Sequence, residues 1–243
     1  MTNTFFSIDI ETVPNDANFE NGEDYLPKID SRLKDPAKIK AAEEALAERT
    51  VKFRSCDPAF GRIACIGVIK CHEDLVTGEI GITDRNAIIH KDEKVILESF
   101  WNLIRGTQFR TLTYNGLNFD LPYIFLRSMI NGVKTPERAE LRKYSYFPHF
   151  DLMEALRNWD RQTFRTMDFW LEVFGLPTKS GSGSEVFGWW KEGNFGQIAQ
   201  YCLDDCEANI NLYRRIRDYY IDIESMHPRD YRENIDSGVK YDG

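Results

Sequence analysis

The 243-residue chain carries 31 basic and 39 acidic side chains, a formal net charge of −8, which excludes a protein that coats duplex DNA with a basic field but not an enzyme that grips a few nucleotides locally. A hydrophobic content of 42%, with 13% aromatic, fits a folded core and excludes a disordered chain. No apolar run approaches the ~18 residues of a membrane span, and the opening MTNTFFSIDIET places acids where a secretory signal has a basic flank, so no membrane partner and a cytoplasmic setting are expected.

Residues 4–12, TFFSIDIET, are rich in β-branched and aromatic residues and predict a strand. Residues 15–60 form an excursion opened by Pro14-Asn15 and closed by Asp57-Pro58 and Gly61. Within it, DPAKIKAAEEALAERTVKF has helical composition but only a thin apolar stripe, which suggests a polar arm rather than core. RIACIGVIK (Arg62–Lys70) predicts a strand buried on both faces, with a second strand around Gly78–Asp84. Glu93–Arg105 predicts an amphipathic helix, Phe109–Tyr114 a short strand, and Phe119–Asn131 a helix ended by Asn131-Gly132. Helices follow near Asp151–Trp159, Thr166–Phe174 and Phe195–Tyr220, with the loop PTKSGSGSEV before the last. This order implies an α/β fold, a mixed sheet flanked by helices, with a helical arm inserted after the first strand. We expect a single domain over 1–243.

Four acids occupy positions that ordinary surface acids do not. On the first strand, alternation puts Phe6, Ile8 and Ile10 on one face and Ser7, Asp9 and Glu11 on the other. If that strand is central, two carboxylates point into a covered face at a cost of several kcal/mol each, which a divalent cation relieves. Asp120 falls in the first turn of a helix, just after the Asn115-Gly116 turn and beside a strand's C-terminal end, where α/β proteins place ligand chemistry. In the last helix, at about 100° per residue, Asp205 lies in the middle of the stripe formed by Ile198, Cys202, Asn209, Leu212 and Ile216. Asp204 faces away, among Gln and Arg residues. Tyr201, one turn before Asp205, shares its inward side. Four hard oxygen donors suit Mg²⁺ or Mn²⁺ and suit zinc poorly. Cys202 and Cys206 have no Cys or His pair at zinc-finger spacing and read as small buried residues, and an odd total of five cysteines does not suggest a disulfide framework. No P-loop, dinucleotide fingerprint or Ser-His-Asp elbow is present.

Asp9-Ile10-Glu11-Thr12, Asn115-Gly116-x-x-Phe119-Asp120 and Tyr201-x-x-x-Asp205 together resemble the three exonuclease motifs of the DEDD superfamily in its tyrosine subclass. The resemblance extends over nearly the whole chain. It is strongest to stand-alone 3′–5′ exonucleases related to the proofreading domain of family-B DNA polymerases. It implies a ribonuclease H-like fold and a metal-dependent 3′–5′ exonuclease. Such an enzyme hydrolyses single-stranded DNA or DNA 3′ ends to nucleoside monophosphates with two ions, Mg²⁺ or Mn²⁺. Asp9, Glu11, Asp120 and Asp205 would be the metal ligands, and Tyr201 would orient the attacking water. Thr12, Asn115, Asn118 and Phe119 would line the terminal nucleotides. Arg127, Lys134, Arg138, Arg142, Lys143, Arg161, Arg165 and Lys179 offer phosphate contacts. Asp151 either caps the following helix or braces the site. The rival readings are a 3′–5′ exoribonuclease and a non-catalytic nucleic-acid-binding module on the same fold. With no polymerase domain in the sequence, proofreading in cis is not expected.

Overall fold

The first strand, β1 (Thr2–Pro14), extends beyond the predicted segment at both ends. The computed structural model describes residues 2–15, 22–74, 77–107, 109–136, 140–160, 162–178, 181 and 183–219. After β1 come α1 (Pro36–Cys56), β2 (Gly61–Asp74), β3 (Ile80–Ile89), α2 (Glu93–Ile104), β4 (Thr111–Thr113) and α3 (Asp120–Ile130). The chain continues through β5 (His149–Asp151), α4 (Leu152–Arg157), α5 (Met167–Val173), α6 (Val186–Glu192) and α7 (Phe195–Tyr219). The strands form one sheet in the order β3-β2-β1-β4-β5. β1 pairs antiparallel with β2 and parallel with β4, so the sheet is mixed and β1 is its central strand.

Alternation along β1 sorts its side chains as the sequence predicts. Phe6, Ile8 and Ile10 join a core with Ile96, Leu97 and Phe100 of α2 and Leu121 and Ile124 of α3. On the opposite face, the Ser7 hydroxyl donates to the Cys206 carbonyl of α7 at 2.8 Å. The predicted phase of α7 also holds: Ile198, Cys202, Asp205, Asn209, Leu212 and Ile216 are all buried. Asp204 turns outward and accepts a hydrogen bond from Gln200 Nε2 at 2.8 Å.

The approach of α7 depends on Gly67 of β2, which lies opposite Asp9 in the ladder. A Cβ at this position would stand 2.9 Å from Cys206 Sγ and 3.0 Å from both the carbonyl oxygen and Sγ of Cys202. Glycine on the strand and cysteine on the helix therefore let backbone meet backbone.

α1 has no buried residue, as expected of a polar arm, and occupies the second half of the 15–60 excursion. Three elements differ from the sequence reading. β3 lies further along than Gly78–Asp84, because after Ile80 its residues are exposed or half-buried and show no inward-facing alternation. β5 takes the start of what reads as a helix: three residues are too few to show alternation, and the helix proper begins only at Leu152. α6 starts at the last residue of the PTKSGSGSEV loop and fills a stretch with no predicted element; Gly188 and two tryptophans obscure its period, and it buries only Val186. Among the described residues no helix is long and apolar enough to cross a membrane.

Arg127 is not a phosphate contact. It is 3% exposed, and its Nε and Nη2 donate to the two carboxylate oxygens of Glu93 at 2.9 and 2.5 Å. Glu93 Oε1 also accepts from the Ile63 backbone at 2.7 Å, which ties the start of β2 to α2 and α3. Arg138, Arg161 and Lys179 lie outside the described residues.

Two substitutions test this packing by urea denaturation. Arg127→Ala leaves a buried carboxylate without its cation and is expected to cost about 3–5 kcal/mol. Gly67→Ala forces α7 off the sheet and is expected to cost about 1–3 kcal/mol, the usual range for overpacking.

Candidate active site

β4 is only three residues long and pairs with β1 at Phe6 and Ser7. Among the described residues no strand lies beside the β4-facing edge further along β1, and the Ile10 N–H donates instead to Asp120 Oδ1 at 3.1 Å. Ile10 stands between Asp9 and Glu11, so this bond fixes a third carboxylate against the stretch of β1 that carries the first two. Asp120 is 4% exposed. Burial pushes its carboxyl well above the ordinary carboxylate range, and the charges of Asp151 and Asp205 add to that.

A β-bulge sits at Glu11 and Thr12. Glu11 opposes Cys65 and Thr12 opposes Ile63, which leaves Ala64 as the extra residue. Bulges bend a strand and re-aim side chains next to functional sites. Glu11 is buried and Asp9 and Thr12 are half-buried. Carboxylate oxygens of Asp9 and Glu11 and Sγ of Cys202 all lie within 4.8 Å of one another. The Cys202 thiol donates to the Asp9 carbonyl at 3.4 Å and lies 3.7 Å from Asp9 Oδ2. Burial holds that thiol in its protonated form, so the donors offered here are chiefly hard carboxylate oxygens.

From α7, Asp205 is 5% exposed and its charge acts on both Asp120 and Cys206. Tyr201 is also 5% exposed. Its ring meets Trp189 of α6 edge-on with centroids 5.8 Å apart, and a Cβ at Gly181 would stand 3.5 Å from it. That is ordinary van der Waals contact, so the loop passes beside the tyrosine ring at Gly181. Carboxylates on β1, α3 and α7 crowd one end of the central strand. A divalent cation fits this donor set: without one, burying the carboxylates together costs free energy, and oxygen donors suit Mg²⁺ or Mn²⁺.

The turn from β4 to α3 is held from β5. Asn115 has φ +66, a left-handed conformation that Asn tolerates better than most residues. The buried Asp151 carboxylate accepts from the Asn115 N–H at 2.9 Å and the Leu117 N–H at 3.0 Å. It also caps α4, accepting from Met153 N at 3.0 Å and Glu154 N at 3.3 Å. Asp151 is therefore both cap and brace. Burial still pushes its carboxyl up to about 6 against these bonds. The cap half is legible from an Asp at the start of a helical run; the brace half spans 34 residues of chain and has no local signal.

The expected nucleotide-lining residues separate into two groups. Asn118 is exposed, and its Nδ2 donates to Glu154 Oε1 at 2.7 Å and to Asn115 Oδ1 at 3.2 Å. Phe119 is half-buried and packs on Tyr123 with ring centroids 5.5 Å apart, against the α2–α3 core. Glu154 and Cys202 were not singled out as site residues in the sequence, since neither shows a motif of its own.

Similarity to known proteins agrees with this arrangement. A family described as "Predicted 3'-5' exonuclease related to the exonuclease domain of PolB" matches residues 57–238. A DNA polymerase of Thermococcus aggregans is 30% identical over 139 residues, covering 50% of this chain and 8% of that protein. A DNA polymerase of Thermococcus litoralis is 31% identical over 118 residues, 42% of this chain and 7% of that protein. The chain thus spans less than a tenth of these two relatives. In three dimensions it resembles the family B DNA polymerase of Pyrobaculum calidifontis, with a TM-score of 0.52 and 16% identity over 88% of this chain and 24% of that one. That likeness supports the ribonuclease H-like fold. With three quarters of its length matched, the chain belongs to the family of 3′–5′ exonucleases related to the exonuclease domain of PolB.

Proposed function

We propose that the protein is a metal-dependent 3′–5′ exonuclease that hydrolyses single-stranded DNA or DNA 3′ ends to nucleoside monophosphates. The observation that carries this reading is the convergence of Asp9 and Glu11 of the central strand with Asp120, hydrogen-bonded to the backbone between them. Two divalent ions held by Asp9, Glu11, Asp120 and Asp205 would stabilise negative charge on the attacking and leaving oxygens of an in-line displacement. Asp120 holds its carboxylate at the Ile10 N–H, and Asp205 presents its own from the facing helix. Tyr201, whose ring packs edge-on against Trp189, is the group suited to orient water. With an ordinary pKa of about 10, a phenol is a weak base, so orientation rather than proton abstraction is its role. Asn115, Asn118 and Thr12 are accessible to the terminal nucleotides, and Phe119 offers the part of its ring that the core leaves open.

The test is digestion of 3′-labelled and 5′-labelled DNA and RNA strands with and without Mg²⁺. DNA shortening from the 3′ end, lost in EDTA and slowed by a 3′-phosphate, is the expected result. Undiminished hydrolysis in excess EDTA would overturn the metal assignment. Equal cutting of circular strands would overturn the exonuclease assignment. Faster digestion of RNA would move the substrate to the exoribonuclease alternative, and no hydrolysis of either would leave a binding module.

The two neighbouring acids of α7 give a sharper contrast in single-turnover hydrolysis. Asp205→Asn removes a buried ligand and is expected to lower the rate about 10²-fold or more, at least about 2.7 kcal/mol of barrier. Its melting temperature without metal should stay level or rise, because a buried carboxylate is costly there. Asp204→Asn, at an outward position, should stay within a few-fold of the parent. Tyr201→Phe should fall between the two. An inactive Asp204→Asn beside an active Asp205→Asn would sink the assignment of the third motif.

A further inference from the structure

Beside the β4–α3 turn lies a cleft of about 450 Å³. It starts at Asn115 and Asn118 and runs over α4 to Lys143, Tyr144, Arg157 and Phe164. Tyr144 is 76% exposed and Phe164 57%, so two large rings face solvent along this cleft. Trp159 stands behind Tyr144 with centroids 5.1 Å apart. Tyr144 and Trp159 both hold left-handed backbone, φ +61 and +60, uncommon for bulky residues and often found where a ligand is clamped.

The polar groups of the cleft carry net positive charge. Burial would raise the Glu154 carboxyl, but hydrogen bonds from Arg157 and Asn118 and the charges of Arg157 and Lys143 outweigh it, so it stays ionised. Arg157 Nε donates to Glu154 Oε2 at 2.7 Å, which accounts for one cation and the one anion. Lys143 adds a second cation on an exposed side chain. Open aromatic faces beside uncompensated positive charge are what a single-stranded nucleic acid requires: bases stack on the rings and phosphates meet the cations. An apolar peptide would gain nothing from Lys143, and duplex DNA would not expose its bases to Tyr144.

We propose that this cleft binds the single strand upstream of its 3′ end, stacking bases on Tyr144 and Phe164, while Asn118 at its inner end hands the strand to the carboxylates. The inference rests on the nuclease reading for the strand's direction but not for its binding. Asn118 lies two residues before Asp120 and is bonded to Glu154, another residue of the cleft wall, so the cleft adjoins the start of the helix that carries Asp120.

The test uses the full chain and a fluorescent twelve-nucleotide oligothymidylate, with anisotropy in EDTA and hydrolysis kinetics in Mg²⁺. The double variant Tyr144→Ala with Phe164→Ala should weaken binding about tenfold or more, equivalent to about 1.4 kcal/mol. KM for the twelve-mer should rise to match, with kcat at saturation within about threefold, while KM for a dinucleotide moves little. Tyr144→Phe keeps a stacking face and should restore most of the affinity. Lys143→Glu should weaken binding and flatten its salt dependence by about one counterion. Met129→Ala, at another exposed apolar position, serves as the control and should change nothing. If the double variant binds and turns over the twelve-mer like the parent, the cleft is not a strand site. If the parent hydrolyses nothing but loses binding on the double substitution, the cleft stands and the nuclease reading fails.

Discussion

The contact of α7 with β1 and β2 across Gly67 sets the spacing on which the carboxylate cluster depends. Only a residue without Cβ lets the Cys202 carbonyl approach the strand this closely. Gly67 is the ladder partner of Asp9, so the place of closest helix–sheet packing is also the place where the strand turns an acid toward the helix. A larger residue there would lift Tyr201 and Asp205 together, because both lie on the stretch of α7 that includes Cys202 and Cys206. Packing and chemistry are thus set by the same few atoms.

A second constraint comes from what β4 leaves undone. A longer β4 would have paired with β1 through Ile10 and taken the N–H that Asp120 uses. Ending the strand at Thr113 opens that donor and turns the chain into α3 at the point where a carboxylate can occupy it. The turn itself is irregular, with Asn115 in a left-handed conformation, and is kept in shape by Asp151 from the neighbouring strand. Gly116 is needed because a Cβ there would fall 2.2 Å from Thr113 Oγ1. The position of Asp120 is therefore held from both sides of the sheet edge.

Much of this was legible in the sequence. The period of two in SIDIE and the period of 3.6 in α7 place Asp9, Glu11 and Asp205 inward, and the separation of Asp205 from Asp204 follows from helix geometry alone. The mixed sheet follows from the order of strands and helices. What was not legible depends on residues far apart in the chain. The bulge at Glu11 and Thr12 is a mismatch of two strands and has no signature in either. β5 is too short to have a pattern. Arg127 looks like any surface cation until Glu93 is brought beneath it. The bonds from Asp151 to the turn, and the cleft between residues 143 and 164, arise only when three segments meet.

The base of the excursion between β1 and β2 has a consequence for how the chain tolerates change. Pro14 pairs with Gly61, and the Asn15 N–H donates to the Phe60 carbonyl at 2.8 Å, so the two ends of the excursion meet inside the ladder. The Tyr123 hydroxyl, at 2.9 Å from the Ser55 carbonyl, pins only the last turn of α1. No residue of α1 is buried. Closing a longer loop between ends already joined costs only about 0.6 kcal/mol for each doubling. The length of this segment is therefore nearly decoupled from the register of the hairpin beneath it. It is the natural point at which a foreign domain can be spliced in, or a new breakpoint opened by permutation, without shifting any strand that carries an acid.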